Sequence, residues 1–137
     1  MKLILIRHGE AFEGNLTIRG VQQAVKTREN LLETKISAIY CSTADRCKQT
    51  MEETLRDRND SMPIHMTSLL APKMKSESYE KLKSRIALFL DDLKNDHKSD
   101  ENVVIVSHQK IIGMIIFQIT GKVEDIGNGE IVEMKLL

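Results

Sequence analysis

Leu3-Ile4-Leu5-Ile6-Arg7-His8-Gly9-Glu10 is the stretch on which the reading of the whole chain turns. Four consecutive aliphatic residues without alternation suit a strand buried on both faces, as in the interior of a parallel sheet. Arg7 ends the run, so the carboxyl end of this strand hands Arg7 and His8 to a loop. In open α/β sheets such loops form the ligand site.

The pattern repeats outward. Thr17 is placed to cap a helix whose Val21, Val25 and Leu32 share one stripe, and Ile36 to Cys41 reads as a second strand. Ser42-Thr43 offers caps for a helix with Cys47, Met51 and Leu55 four apart, broken at Arg58-Asn59-Asp60-Ser61. Ile64 to Ser68 fits a short strand, and Leu69 to Lys75, containing Pro72, a connecting loop. Ser76 is positioned to cap a long helix with Leu82, Ile86, Phe89, Leu90 and Leu93 at helical spacing, up to the polar break Asn95 to Asn102. Val103 to Val106 is the clearest strand and runs into Ser107-His108; Ile111 to Thr120 follows as a buried helix closed by Gly121. Asn128-Gly129 turns the chain into a last strand, Ile131 to Leu136, whose Val132, Met134 and Leu136 alternate with charge as at a sheet edge. The order predicts an α/β fold, a three-layer α/β/α sandwich with a mostly parallel sheet of about five strands and one antiparallel edge strand.

At 137 residues a single domain over residues 1–137, with one site, is expected. The 20 basic and 20 acidic side chains cancel, so no global field recruits nucleic acid or an anionic membrane, and any anion site is local. The apolar run after Met1 is too short for a secretory signal, and Ile111 to Ile119 is half a membrane helix, so a cytoplasmic location is the expectation. Cys41 and Cys47 read as reduced thiols, with Cys47 on the core stripe. His65 and His97 have no partner at metal-ligand spacing and read as surface residues.

Three strand ends carry the chemistry. The first presents Arg7 and His8, the second leads through Ser42 to Arg46, and the fourth ends at His108. A phosphate dianion requires donors and positive charge around its oxygens, and two guanidinium forks nearly neutralise it. A neutral imidazole is a competent nucleophile near pH 7 when its other nitrogen is oriented by a carbonyl. One histidine attacks while the other donates. A lone histidine at a strand end is ordinarily a solvated loop residue; it is the coincidence of four such residues on one rim that argues for a site.

These residues also resemble a known family. Leu3-Ile4-Leu5-Ile6-Arg7-His8-Gly9-Glu10 is similar to the signature of the histidine phosphatase superfamily, also called the phosphoglycerate mutase-like family. Leu16-Thr17-x-x-Gly20-x-x-Gln23-Ala24, Ser42-x-x-x-Arg46-x-x-Gln49-Thr50 and Val104-Ile105-Val106-Ser107-His108 resemble its later blocks, in order. The resemblance implies that His8 is the nucleophile, that Arg7 and Arg46 bind the phosphoryl oxygens, and that His108 stabilises the transferring group. It implies a phosphohistidine intermediate hydrolysed by water, with no metal and no cofactor. The implied partner is a small phosphorylated substrate or a phosphorylated protein.

The chain also departs from the family pattern. Many members place a carboxylic acid shortly after the third strand, where Leu69-Leu70-Ala71-Pro72-Lys73 stands here. Glu77 and Glu80 follow, but an acid in a first helical turn is favoured by the helix dipole, and a structural role is expected. Without an acid, easily departing groups are preferred: the imidazole of phosphohistidine, acyl phosphates, anhydrides and aryl phosphates. Asn15, one place beyond the position where larger relatives carry Asn, and Gln109, after the second histidine, are further candidate substrate contacts; Lys110 reads as solvated. Two other functions stay open: a phosphoglycerate-type mutase, disfavoured because no enclosing insertion is present, and a catalytically idle phospho-ligand module, disfavoured by the intact Arg7, His8, Arg46 and His108.

Overall fold

The computed structural model describes residues 1–137. In chain order the elements are β1 (Lys2–Arg7), β2 (Ala11–Phe12), β3 (Asn15–Leu16), α1 (Ile18–Asn30), β4 (Ala38–Ser42), α2 (Asp45–Leu55), β5 (Ile64–Thr67), a 3-10 turn (Ser68–Leu70), α3 (Tyr79–Asp96), β6 (Asn102–Ser107), α4 (Gln109–Thr120) and β7 (Ile131–Lys135). Five strands form one sheet in the order β5-β4-β6-β1-β7. All pairings are parallel except that of β1 with the edge strand β7. The order places the carboxyl ends of β4, β6 and β1 side by side, with Arg7 in register with Ser107.

Both faces of the sheet are covered, which is why β1 reads as a continuous apolar run. Leu3, Leu5, Val103 and Ile105 point to one face and pack with Leu82, Ile86, Leu93, Ile111 and Ile115 of α3 and α4. Ile4, Ile6, Val104 and Val106 point to the other, against Cys47 and Met51 of α2 and Leu31 at the end of α1. This is the strand alternation of period two with apolar partners on both sides. The α3 stripe is buried at all five expected positions, and Gly121, with φ 74°, closes α4 as expected. No helix is long and apolar enough to cross a membrane.

Several local expectations are corrected. In α1 the buried positions are Gly20, Ala24 and Thr27 rather than Val21 and Val25, which are half-buried, while Leu32 lies past the helix end and is exposed. The small residues let α1 approach its neighbours closely, and a stripe drawn through large side chains misses that. Thr17 does cap α1, accepting from the Gly20 amide. The N-cap of α3 is Ser78, accepting from the Lys81 amide, not Ser76. The N-cap position of α2 is Ala44, without a side-chain cap, rather than Ser42 or Thr43, and the Ser42 hydroxyl lies against His108. The expected loop after His8 holds the small hairpin β2-β3. His97 is not a surface residue. Its side chain is 9% exposed, set between the Tyr40 hydroxyl at 2.7 Å and the Glu101 carboxylate at 2.5 Å. His65 is exposed and stacks on Tyr40.

Candidate active site

The loop after β1 is fixed from several directions. The His8 amide donates to the Ser107 carbonyl at 3.1 Å, and the Gly129 amide donates back to the Arg7 and His8 carbonyls. The Gly9 amide donates to Thr50 Oγ1 at 3.1 Å, and Thr50 in turn donates to the Arg46 carbonyl at 2.8 Å. Gln23 accepts from the Glu10 amide, and Gln49 accepts from the Leu16 amide, both at 2.8 Å. Gly9 and Gly20 meet backbone to backbone: a Cβ on Gly20 would lie 2.1 Å from the Glu10 carbonyl oxygen. Arg46, Gln49 and Thr50 lie at helical spacings of three and four, so one face of α2 supplies all three contacts.

This frame brings the two histidines together, with ring centroids 5.3 Å apart and planes inclined at 66°. His8 Nδ1 lies 2.8 Å from the Gly9 carbonyl. A carbonyl only accepts, so Nδ1 carries the proton of the neutral ring and Nε2 the lone pair. Arg46 Nε donates to that lone pair at 3.2 Å. The other arm of the same guanidinium, Nη2, lies 3.2 Å from His108 Nδ1. On its far side, His108 Nε2 lies 2.8 Å from Ser42 Oγ.

Both imidazoles are held neutral. Burial, followed by the Arg46 and Arg7 charges, lowers the pKa of His8, against an opposing contribution from its bond to Gly9. Burial is also the main cause for His108, reinforced by Arg46, His8, Arg7 and Arg85, and brings it down to about 3. Arg7 donates through Nη1 to the Ile126 carbonyl at 2.7 Å. Its Nε is the one buried side-chain nitrogen or oxygen without a partner. A charged donor left so costs upward of about 1–3 kcal/mol, which an incoming acceptor would relieve.

Four of the expected site residues, Arg7, His8, Arg46 and His108, thus converge. Asn15 and Gln109 do not join them in the same way. The Asn15 side-chain Oδ1 accepts from Gln49 Nε2 at 2.8 Å, tying the hairpin to α2, while Gln109 and Lys110 are exposed at the start of α4. Glu77 takes both arms of Arg85, at 2.9 and 2.8 Å, and Arg85 also donates to the Leu69 and Ala71 carbonyls. Surface cavities of about 540 Å3, lined in part by Leu32, Thr34, Arg58 and Asp60, and of about 400 Å3, lined in part by Met1, His97 and Leu136, lie elsewhere. Ser42, Ser107 and the Ile126 carbonyl were not singled out from sequence. Ser42 and Ser107 figured as members of the blocks that resemble the family, and the Ile126 carbonyl carried no signal.

Comparison with solved structures gives the same fold throughout. The alpha-ribazole phosphatase from Shigella flexneri superposes with a TM-score of 0.83 at 21% identity, over 100% of this chain and 91% of that one. The protein histidine phosphatase SixA, complexed with tungstate, gives 0.78 at 18% identity over 99% and 88%. A phosphoserine phosphatase from Entamoeba histolytica in complex with 3-phosphoglyceric acid gives 0.75 at 21% identity over 96% and 89%. At these identities the likeness is one of fold. No curated protein matches the chain in sequence. The family pattern of the histidine phosphatase superfamily (branch 1), by contrast, matches residues 3–71 and 65–131, and with Arg7, His8, Arg46 and His108 gathered as described, the chain belongs to that superfamily.

Proposed function

We propose that the chain is a metal-independent phosphatase in which His8 Nε2 attacks phosphorus and carries the phosphoryl group as phosphohistidine. The observation that carries this reading is the convergence of a lone pair on His8 Nε2, the Arg46 fork shared by both histidines, and the unpartnered Arg7 Nε. In the first step the Nε2 lone pair forms the N–P bond as the bond from phosphorus to the leaving group breaks, its electron pair departing with that group. His8 Nδ1–H stays bonded to the Gly9 carbonyl, which spreads the growing positive charge. Arg7 and Arg46 neutralise the equatorial oxygens, the role a divalent cation plays in many phosphoryl-transfer enzymes. In the second step water attacks phosphorus, the N–P electron pair returns to Nε2, and phosphate leaves carrying the water oxygen.

Glu77 and Arg85 form a closed pair, and the loop after β5, Leu69 to Lys73, carries no carboxylate. Leaving groups that need no proton from the protein therefore suit the site: phosphohistidine, acyl phosphates and aryl phosphates, carried on a small molecule or on another protein. Hydrolysis of a chromogenic aryl phosphate in EDTA, with His8→Ala alongside, tests the mechanism. The expected result is turnover by the wild type, none by the variant, and an acid-labile phosphoenzyme on quenching. Turnover that survives His8→Ala would remove His8 as nucleophile.

A further inference from the structure

We infer that Ser42 is a positioning residue for His108: its hydroxyl accepts the Nε2–H of that imidazole and so presents Nδ1 to the phosphoryl group. The inference deepens the phosphatase reading and rests on it. Ser42 is fully buried at the end of β4, and its Oγ lies 2.8 Å from His108 Nε2. The opposite ring nitrogen faces Arg46, which can only donate, so in the unligated protein the single ring proton sits on Nε2. Ser42 Oγ accepts it, and accepts the Ala44 amide at 3.3 Å as well. Cys47 Sγ, 3.5 Å from Nε2, is a weaker second acceptor.

An oxyanion between the two histidines changes what holds the ring. Arg46 turns its donors to the anion and releases Nδ1, which takes up a proton and donates to a phosphoryl oxygen. The ring is then an imidazolium, and the bond to Ser42 is what remains on its Nε2–H. A charged donor gains more from that acceptor than a neutral one. The other groups facing His108 are Arg7 at the end of β1, His8 in the loop after it, Arg46 and Cys47 from α2, and Arg85 from α3. None of these is an anionic acceptor, and each charged one opposes the imidazolium.

The test is the titration of His108, followed by NMR of ring-labelled histidine in protein saturated with sulfate, a tetrahedral dianion whose charge stays constant through the titration. In the wild type, sulfate raises the His108 midpoint. In Ser42→Ala it is expected to lie about 1 to 2 pH units lower than in sulfate-bound wild type, the loss of one hydrogen bond to a charged group. The kcat on an aryl phosphate should fall about 10- to 100-fold, the range seen when a metal-bound histidine loses its orienting partner, with KM little changed. Ser42→Cys, which fills the space but accepts weakly, should behave alike and serves if Ser42→Ala does not fold. An unchanged sulfate-bound midpoint in folded variants would overturn the positioning role while leaving the phosphatase reading intact. A wild-type midpoint that sulfate does not move, together with no turnover, would instead remove the phosphatase reading.

Discussion

Arg46 Nε donates to His8 Nε2 across 3.2 Å, so the atom with the nucleophilic lone pair is held by a cation in the unligated protein. A proton on Nε2 would face that donor directly. Burial is the larger cause lowering the pKa of His8, and the Arg46 charge adds to it against the opposing bond to Gly9. Protonated His8 cannot attack, and a depressed pKa moves its protonation to more acidic solution. The acid limb of kcat/KM, which reports the free enzyme, is expected below the ordinary histidine value of about 6.5. Arg46→Gln, which removes the charge, should move the limb upward. A pH–rate profile with an aryl phosphate, corrected for the ionisation of the substrate, checks both. A limb above the ordinary value would contradict the geometry.

Arg7 has a different task, because its Nε is buried without a partner while Nη1 is fixed by the Ile126 carbonyl. Lysine keeps the charge but not the fork. Arg7→Lys is therefore expected to lower kcat/KM about 10² to 10³-fold, the cost of one preorganised donor, and to weaken inhibition by inorganic phosphate. Phosphate inhibition equal to that of the wild type would show that Nε does not face the anion.

Two glycine-to-alanine substitutions within helices should have opposite signs. Alanine gains about 1 kcal/mol over glycine in a helix interior, and in α4 nothing approaches a Cβ on Gly113 more closely than the Glu124 carbonyl at 3.7 Å. Gly113→Ala should therefore stabilise. In α1 a Cβ on Gly20 would sit 2.1 Å from the Glu10 carbonyl, backbone that cannot move without shifting the loop that carries His8. Overpacking of this kind costs about 1–3 kcal/mol, so Gly20→Ala should destabilise and lower kcat together. Urea unfolding of the two variants, with kcat measured on each, decides the matter; a stable, fully active Gly20→Ala would show that the loop does not depend on this contact.

What could be read from sequence depended on whether the physics was local. β1, β6 and α3 bury long apolar side chains at the period of their own element, so their patterns sufficed. In α1 the packing runs through Gly20 and Ala24, small residues that a hydrophobic stripe undervalues. The N-cap of α3 falls on Ser78, two residues past the expected Ser76. The strands of the hairpin, two residues each, are too short to show any period. His97 is enclosed by Tyr40, distant in sequence, which no spacing rule reports. At the site, Arg7, His8, Arg46 and His108 were legible because each follows a recognisable strand. Ser42 behind His108 and the Ile126 carbonyl on Arg7 were not, since only the fold brings them there.

Glu77 offers the sharpest test of leaving-group chemistry. Its two oxygens receive Arg85 Nε and Nη2 at 2.9 and 2.8 Å, and those hydrogen bonds hold its pKa below the usual carboxylate value despite an opposing contribution from burial. A general acid must carry a proton at the working pH, and a lowered pKa disfavours that. In the structure it braces Arg85, which holds the Leu69 and Ala71 carbonyls, while Ser107 Oγ holds the Leu70 carbonyl between them. Were Glu77 the acid, Glu77→Gln would depress alkyl phosphate hydrolysis by the roughly 10² to 10⁴-fold such a group supplies and spare aryl phosphates, whose leaving group needs no proton. The expectation is instead that aryl and alkyl substrates are affected alike, with a lower urea midpoint as the main change. Parallel kcat/KM measurements on one aryl and one alkyl phosphate distinguish the two, and a selective loss on the alkyl substrate would return Glu77 to the chemistry.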